Sequence, residues 1–463
     1  MSFKRFPEAA IISPDILAEP LKFPNGRFAK NRFMKAAMTE RLATYNHDNL
    51  EKHGVPTQKY LNCYDKWGHG EFGMVVTGNV IVDSSSLEAI GNACIFKEGD
   101  SLERRSLFIQ VAQKMKQDGA LAIMQLALGG RQTSVWVNPT PYGASDVALI
   151  TDPVMYGKPV ALTTEQVQTE VIDRFVYATK FAFDCGFDGV QLHAAHGYLL
   201  STFTSPTTNN RTDQYGGSLE NRNRVIMEIY EKIREEIPES SKFLVGIKAN
   251  SKEFQEKGIT VEEARAFCEV YEKHGFDFVE LTGGTAEKYE FVHHKESTRV
   301  REAFFVEFAD AVSCILWDRS SLMLVLQIRP ALKNTVLYLT GGFRTAGAMI
   351  DAVRRNTTQG IGLARPVTAE PDLPKKIING SVPSAIKDGF GDIISQMMAS
   401  GSQLEQMSRT SFEEAGGNVM DQISDYSDEK MVDLFHVKMA EFFKNMKRDA
   451  MAGKAPKTVV IMD

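Results

Sequence analysis

The chain has 463 residues, 43% of them hydrophobic, with a formal net charge of −6 and a pI of about 5.9. That is ample apolar material for a large core. The acidic balance excludes a face built for phosphate backbones or anionic lipid, so neither nucleic acid nor membrane is expected as a partner.

No apolar run reaches the roughly 20 residues that a membrane span requires, and "SSLMLVLQI" at 320–328 falls well short. The N-terminal "MSFKRFPEAAIISPDILAEP" has early cations but no apolar core, so no targeting signal is expected and the assignment is cytoplasmic. Cys63, Cys94, Cys185, Cys268 and Cys314 are scattered without a C-x-x-C pair, which fits free thiols in a reducing compartment.

In chain order, the first short apolar strands are "RFMKAAM" (32–38) and "FGMVVTGN" (72–79). A helical segment, "LERRSLFIQVAQKMKQDG", then leads into a strand, "ALAIMQL". The segment "TTEQVQTEVIDRFVYATKFAFDC" places Val167, Val171, Phe175, Ala178 and Ala182 on one helical face. It runs into "GFDGVQL" at 186–192. After "KFLVGIKAN" (242–250) the grammar repeats, with Thr260 and Glu263 as a capping box opening a helix that ends at "GFDFVEL", 275–281. "NTVLYLT" (334–340) and "QGIGLA" (359–364) complete eight strands. Eight continuous apolar strands alternating with helices predict a parallel (β/α)8 TIM barrel over residues 1–375. An open doubly wound sheet is the alternative, but "GIGLAR" at 360–365 runs into Pro366 rather than a helix and does not supply its fingerprint. Residues 376–463 change character and read as a C-terminal helical extension that covers a barrel face or forms a homo-oligomer contact.

Barrel enzymes build their sites at the C-terminal strand ends. Those ends carry Thr39, Gly78, Gln125, His193, His196, Lys248, Thr282, Gly341, Gly342, Ala364 and Arg365. "TGGFRT" and "GLARP" follow the last two strands, where glycines and an arginine favour a phosphate-bearing ligand. In "HAAHGY", His193 and His196 could ligate a metal, with "VHH" at 292–294 adding a ligand, yet no Asp or Glu completes a set. With Tyr198 beside them they read more readily as a hydrogen-bonding site with a proton donor, and no metal is assigned. Lys248 is open to three readings: a Schiff-base nucleophile, a cation facing a bound anion, or a snorkelling surface lysine.

"HAAHGYLLSTFTSPTTNNRTDQYGGSLENRNR" closely resembles the signature of the old yellow enzyme family, the FMN-dependent NADH:flavin oxidoreductases. "NRFMKAAMTE", "MVVTGNVIV", "MQLALGGRQ", "VGIKANS", "LTGGFRT" and "GLARP" fall in family order, so the resemblance spans about residues 15–375. It implies an FMN site in which Thr39 contacts the flavin O4, Gln125 the pyrimidine edge and Gly78 the ring through backbone. Gly341, Gly342, Ala364 and Arg365 would grip the phosphate. His193 and His196 would bond a substrate oxygen, and Tyr198 would donate the proton. NADH or NADPH would be the reductant, and an enone, quinone or similar small molecule the acceptor. The sequence departs from the family where Lys248 replaces an arginine and where Ala127 in "QLALGG" replaces a bulkier residue. The cysteine spacing excludes the family's iron–sulfur relatives in their full form. A Schiff-base lyase on Lys248 and a flavin-free, non-catalytic barrel remain the alternatives.

Overall fold

The computed structural model describes residues 3–7, 13–149, 155–287, 328–455 and 457–462. Eight strands form the barrel: β1 Phe33–Lys35, β2 Met74–Val76, β3 Leu121–Ala127, β4 Gly189–Ala194, β5 Leu244–Asn250, β6 Phe278–Thr282, β7 Val336–Thr340 and β8 Gly360–Leu363. Each is parallel to its neighbour, and the β8–β1 and β2–β3 pairings close the ring. Every expected strand is present, and all but β3 are shorter than the apolar run that announced them, because the flanking residues turn at the barrel rims.

The outer helices are α1 Gln58–Gly68, α2 Leu102–Met115, α3 Asp173–Asp184, α4 Leu219–Glu236, α5 Val261–His274 and α6 Ala346–Arg354. The Thr260–Glu263 capping box opens α5 as expected. The helix expected before β4 holds a surprise. Its five apolar residues are all fully buried, but Val167–Ile172 is a π-helical turn preceding α3. A shift from i−4 to i−5 bonding leaves the apolar spacing nearly unchanged, so the pattern does not reveal it.

The repeated "GFD" also acquires a cause. Gly186 and Gly275 take left-handed backbone (φ +79° and +88°) to end their helices. Asp188 Oδ2 accepts from Ala122 N at 2.9 Å, and Asp277 Oδ2 from Val245 N at 2.8 Å, so each aspartate ties its strand to the start of the preceding one.

A small hairpin, Leu21–Lys22 with Phe28–Ala29, closes the barrel floor. Its Leu21, Phe23 and Ala29 join Met34, Ile123, Phe278 and Tyr338 in a buried cluster. Inward glycines make room for these rings: a Cβ on Gly246 would sit 2.2 Å from Phe278, and one on Gly360 2.2 Å from Tyr338. Beyond the barrel, α7 Ile393–Met407 packs on α1, where Asn62 Nδ2 donates to Ser408 O at 2.9 Å. A final helix, α8 Glu429–Met451, shares a small core with the C-terminal Val460 and Met462.

Candidate active site

Strand register decides which side chains meet in the mouth. Gln125 is level with Gln191, His193 with Lys248, Lys248 with Glu280, and Asn250 with Thr282. Polar residues thus replace apolar ones on the inward face towards the C-terminal strand ends. They form one buried relay. Gln125 Nε2 donates to Gln191 Oε1 at 2.7 Å, Gln191 Nε2 donates to Glu280 Oε2 at 2.8 Å, and Lys248 Nζ lies 2.9 Å from Glu280 Oε1. Lys248 is 4% exposed and Glu280 fully buried, so a snorkelling lysine is ruled out. The last contact lies off the hydrogen-bonding direction and is ionic in character.

The two histidines leave β4 differently. His193 remains on the strand, while His196 follows a tight turn with φ +59°, and Gly197 continues it with φ +83°. Gln132 Nε2 donates to His196 O at 2.9 Å and holds this turn, whose left-handed backbone is unfavourable for a histidine. The rings come together edge to face, with centroids 5.6 Å apart, and His193 lies 4.3 Å from the Tyr198 ring. His193 Nδ1 accepts from Ala195 N at 3.4 Å, which leaves the proton on Nε2. His196 Nε2 is 3.0 Å from Thr282 Oγ1. Burial first, then His196 and Lys248, push His193 well below the usual imidazole range. Burial and Lys248 push His196 down to about 3. Both rings are therefore neutral near pH 7. Among the described residues, no group of three or more His, Cys, Asp or Glu is arranged to hold a metal ion. The "VHH" segment lies outside the described residues.

A second network reaches Tyr198 from β2. Thr39 Oγ1 donates to Asn79 Oδ1 at 2.9 Å, and Asn79 Nδ2 donates to the Tyr198 hydroxyl at 3.3 Å. Asn79 Nδ2 also faces Glu88 Oε2 at 3.4 Å, and Arg41 pairs with Glu88 at 3.0 Å. A carboxylate only accepts, so Glu88 fixes which end of the Asn79 amide faces the tyrosine. Gly78 lies at the β2 end as expected, but its N–H already donates to Glu40 Oε1 at 2.8 Å. Its carbonyl accepts from Thr77 Oγ1 at 2.8 Å.

Asn79, Gln191 and Glu280 were not singled out in the sequence. A signal for the last two existed, since they hold the same place in the repeated "GFDGVQL" and "GFDFVEL".

At the ends of β7 and β8, Gly341 (φ +143°) and Gly342 (φ +77°) open the turn beside Thr340, whose buried hydroxyl has no partner. Arg365 turns towards the C-terminal extension and donates to Gln396 Oε1. Together with Arg344 and Asp388 it lines a cavity of about 40 Å³. Burial and then Arg344 push Arg365 down to about 9, only partly offset by Asp388. The same lining holds Asp388 and Asp425, so two guanidiniums face two carboxylates in this cavity. The donor set fits FMN: an amide and an ammonium for the ring's imide edge, and the open glycine backbone at Gly341 and Gly342, beside the unpartnered Thr340 hydroxyl, for its phosphate.

A closed barrel with such a mouth defines a phosphate-cofactor enzyme class. The family is settled by comparison. Residues 16–382 match the model of the NADH:flavin oxidoreductase / NADH oxidase family, and the chain belongs to it. It is an FMN-dependent oxidoreductase whose reductant is a nicotinamide cofactor, NADH or NADPH. It is similar to the NADH-dependent flavin oxidoreductase nadA of Aspergillus parasiticus, 41% identical over 382 residues, or 81% of each chain. It is also similar to the NADH-dependent flavin oxidoreductase iccE of Talaromyces variabilis, 32% identical over 78% of this chain and 86% of that one. In fold it resembles an old yellow enzyme homologue from Zymomonas mobilis. The TM-score is 0.63, with 21% identity over 82% of this chain and 96% of the other.

Proposed function

We propose that this oxidoreductase reduces activated alkenes, such as α,β-unsaturated carbonyl compounds, with NADH and the acceptor using one mouth in turn. The observation that carries the reading is the pair of neutral imidazoles beside a tyrosine hydroxyl, with Gln125 and Lys248 on the two neighbouring strands as groups suited to a flavin ring. FMN held at these strand ends would supply the two-electron hydride chemistry between the nicotinamide and the acceptor. The remaining work falls to the chain's own residues. His193, through Nε2–H, and His196, steadied by Thr282, donate to the acceptor's carbonyl oxygen and polarise the conjugated double bond. Neutral rings donate without placing a fixed charge beside the hydride path. Tyr198 gives its hydroxyl proton to the α-carbon as hydride reaches the β-carbon, and solvent restores that proton. Asn79, donating to the same oxygen, stabilises the charge left behind. Thr39, Gln125 and Lys248 face the flavin ring, and Gly341, Gly342, Ala364 and Arg365 its phosphate. Gly78, its N–H taken by Glu40, serves chiefly by placing Asn79. Ala127, small and fully buried at the β3 end, leaves room for the acceptor.

The test is His193→Ala combined with His196→Ala in stopped flow. The double variant should keep FMN and its reduction by NADH, yet bind phenols weakly and reoxidise slowly with an enone. Unchanged alkene turnover would reject the assignment.

A further inference from the structure

The Lys248–Glu280–Gln191–Gln125 relay has a direction, and the direction originates at one residue. Glu280 is fully buried on β6, level with Lys248 on β5, and meets two of the chain's strands at once. Its carboxylate can only accept hydrogen bonds, so the Gln191 amide must turn its nitrogen towards it at 2.8 Å. That leaves Gln191 Oε1 facing Gln125, which in turn must present its nitrogen at 2.7 Å. The relay therefore ends in Gln125 Oε1, an acceptor. With a neutral amide in place of the carboxylate, each glutamine could flip at little cost. The same carboxylate holds the Lys248 ammonium at 2.9 Å and balances its charge.

We infer that Glu280 is the positioning residue that sets the polarity of the flavin-ring site. It makes Gln125 an acceptor for the ring's imide N–H and tempers the positive charge that Lys248 offers to the neighbouring carbonyl. The inference rests on the flavin reading of the mouth and deepens it. Reduction adds negative charge to the ring, so a carboxylate paired with the lysine lowers the midpoint potential below the value the lysine alone would give. A wholly structural role for Glu280 would not predict the sign of that shift.

The experiment is Glu280→Gln on the FMN-loaded full chain. One measurement is the midpoint potential of the bound FMN, by equilibrium titration with a reference dye. The other is FMN affinity of the apoprotein, by quenching of flavin fluorescence. The potential should move to more positive values, and affinity should fall about threefold to tenfold as Gln125 loses its fixed orientation. Gln191→Leu, which leaves Glu280 and Lys248 paired, should lower affinity without the positive shift. It serves as the test if E280Q fails to fold. An FMN-loaded E280Q protein whose potential is unchanged or more negative overturns this inference alone, as does Q191L with unchanged affinity. A wild-type chain that takes up no FMN overturns the flavin reading and the inference together.

Discussion

The two mouth histidines make the protein sensitive to acid in a way that can be calculated. In the unfolded chain each imidazole protonates near pH 6.5, whereas burial and Lys248 hold the native rings neutral well below that. Both folded values lie under the unfolded value, so below about pH 6.5 the unfolded state binds more protons. Stability is intact above that point and falls as the pH drops. At pH 5.5 the unfolded chain gains about 1.4 kcal/mol per histidine, a figure set by the unfolded value alone while the native ring stays neutral. The pair is thus worth up to about 3 kcal/mol. Both native rings lie well below the unfolded value, so the two contribute about equally. His193→Gln with His196→Asn removes both titrations, and asparagine tolerates the left-handed backbone at 196. Urea unfolding of the FMN-loaded proteins at pH 7.5 and 5.5 is the assay. The wild type should lose about 2–3 kcal/mol more than the double variant between the two pH values. Equal losses would refute the neutral-imidazole argument.

Three further outcomes follow from the same geometry. Tyr198→Phe should slow reoxidation by an enone by roughly 10²–10⁴-fold, the usual worth of a positioned proton donor, while reduction by NADH is unchanged. Equal slowing of both half-reactions would assign the tyrosine a general structural role. Gly246→Ala puts a Cβ 2.2 Å from the Phe278 ring, and the overpacking should cost about 1–3 kcal/mol in chemical unfolding. Adding Phe278→Leu should recover part of that loss, and no recovery would mean that the clash is not its source.

The barrel was legible because parallel strands buried on both faces read as continuous apolar runs, and eight such runs between helices admit few architectures. Strand ends were less legible, because "RFMKAAM" stays apolar after β1 has turned away at Lys35. Strand-end reading singled out Gln125, His193 and Lys248, which the structure brings to one mouth, and the family resemblance suggested the roles proposed for Thr39 and Tyr198. It overlooked Glu280 and Gln191, since a carboxylate inside an apolar run looks like a strand's solvent face until register points it inward. Asn79 was hidden in "TGNV", where the chain breaks between β2 and a two-residue strand, Val80–Ile81. Only that break aims its amide at Tyr198. The turn of Arg365 towards Gln396 depended on a helix more than 25 residues downstream, which no local pattern encodes.

Flavin, histidine pair and tyrosine acting together on an activated alkene leave a spectroscopic trace. The decisive experiment follows the absorbance of the purified protein in anaerobic sequence: as isolated, after NADH, and after an enone. The flavin bands should bleach with NADH and return when the enone is added, with the saturated carbonyl compound formed in equal amount. Bands that bleach but do not return with any enone would contradict the proposed acceptor class. A colourless protein that takes up no FMN would contradict the site itself.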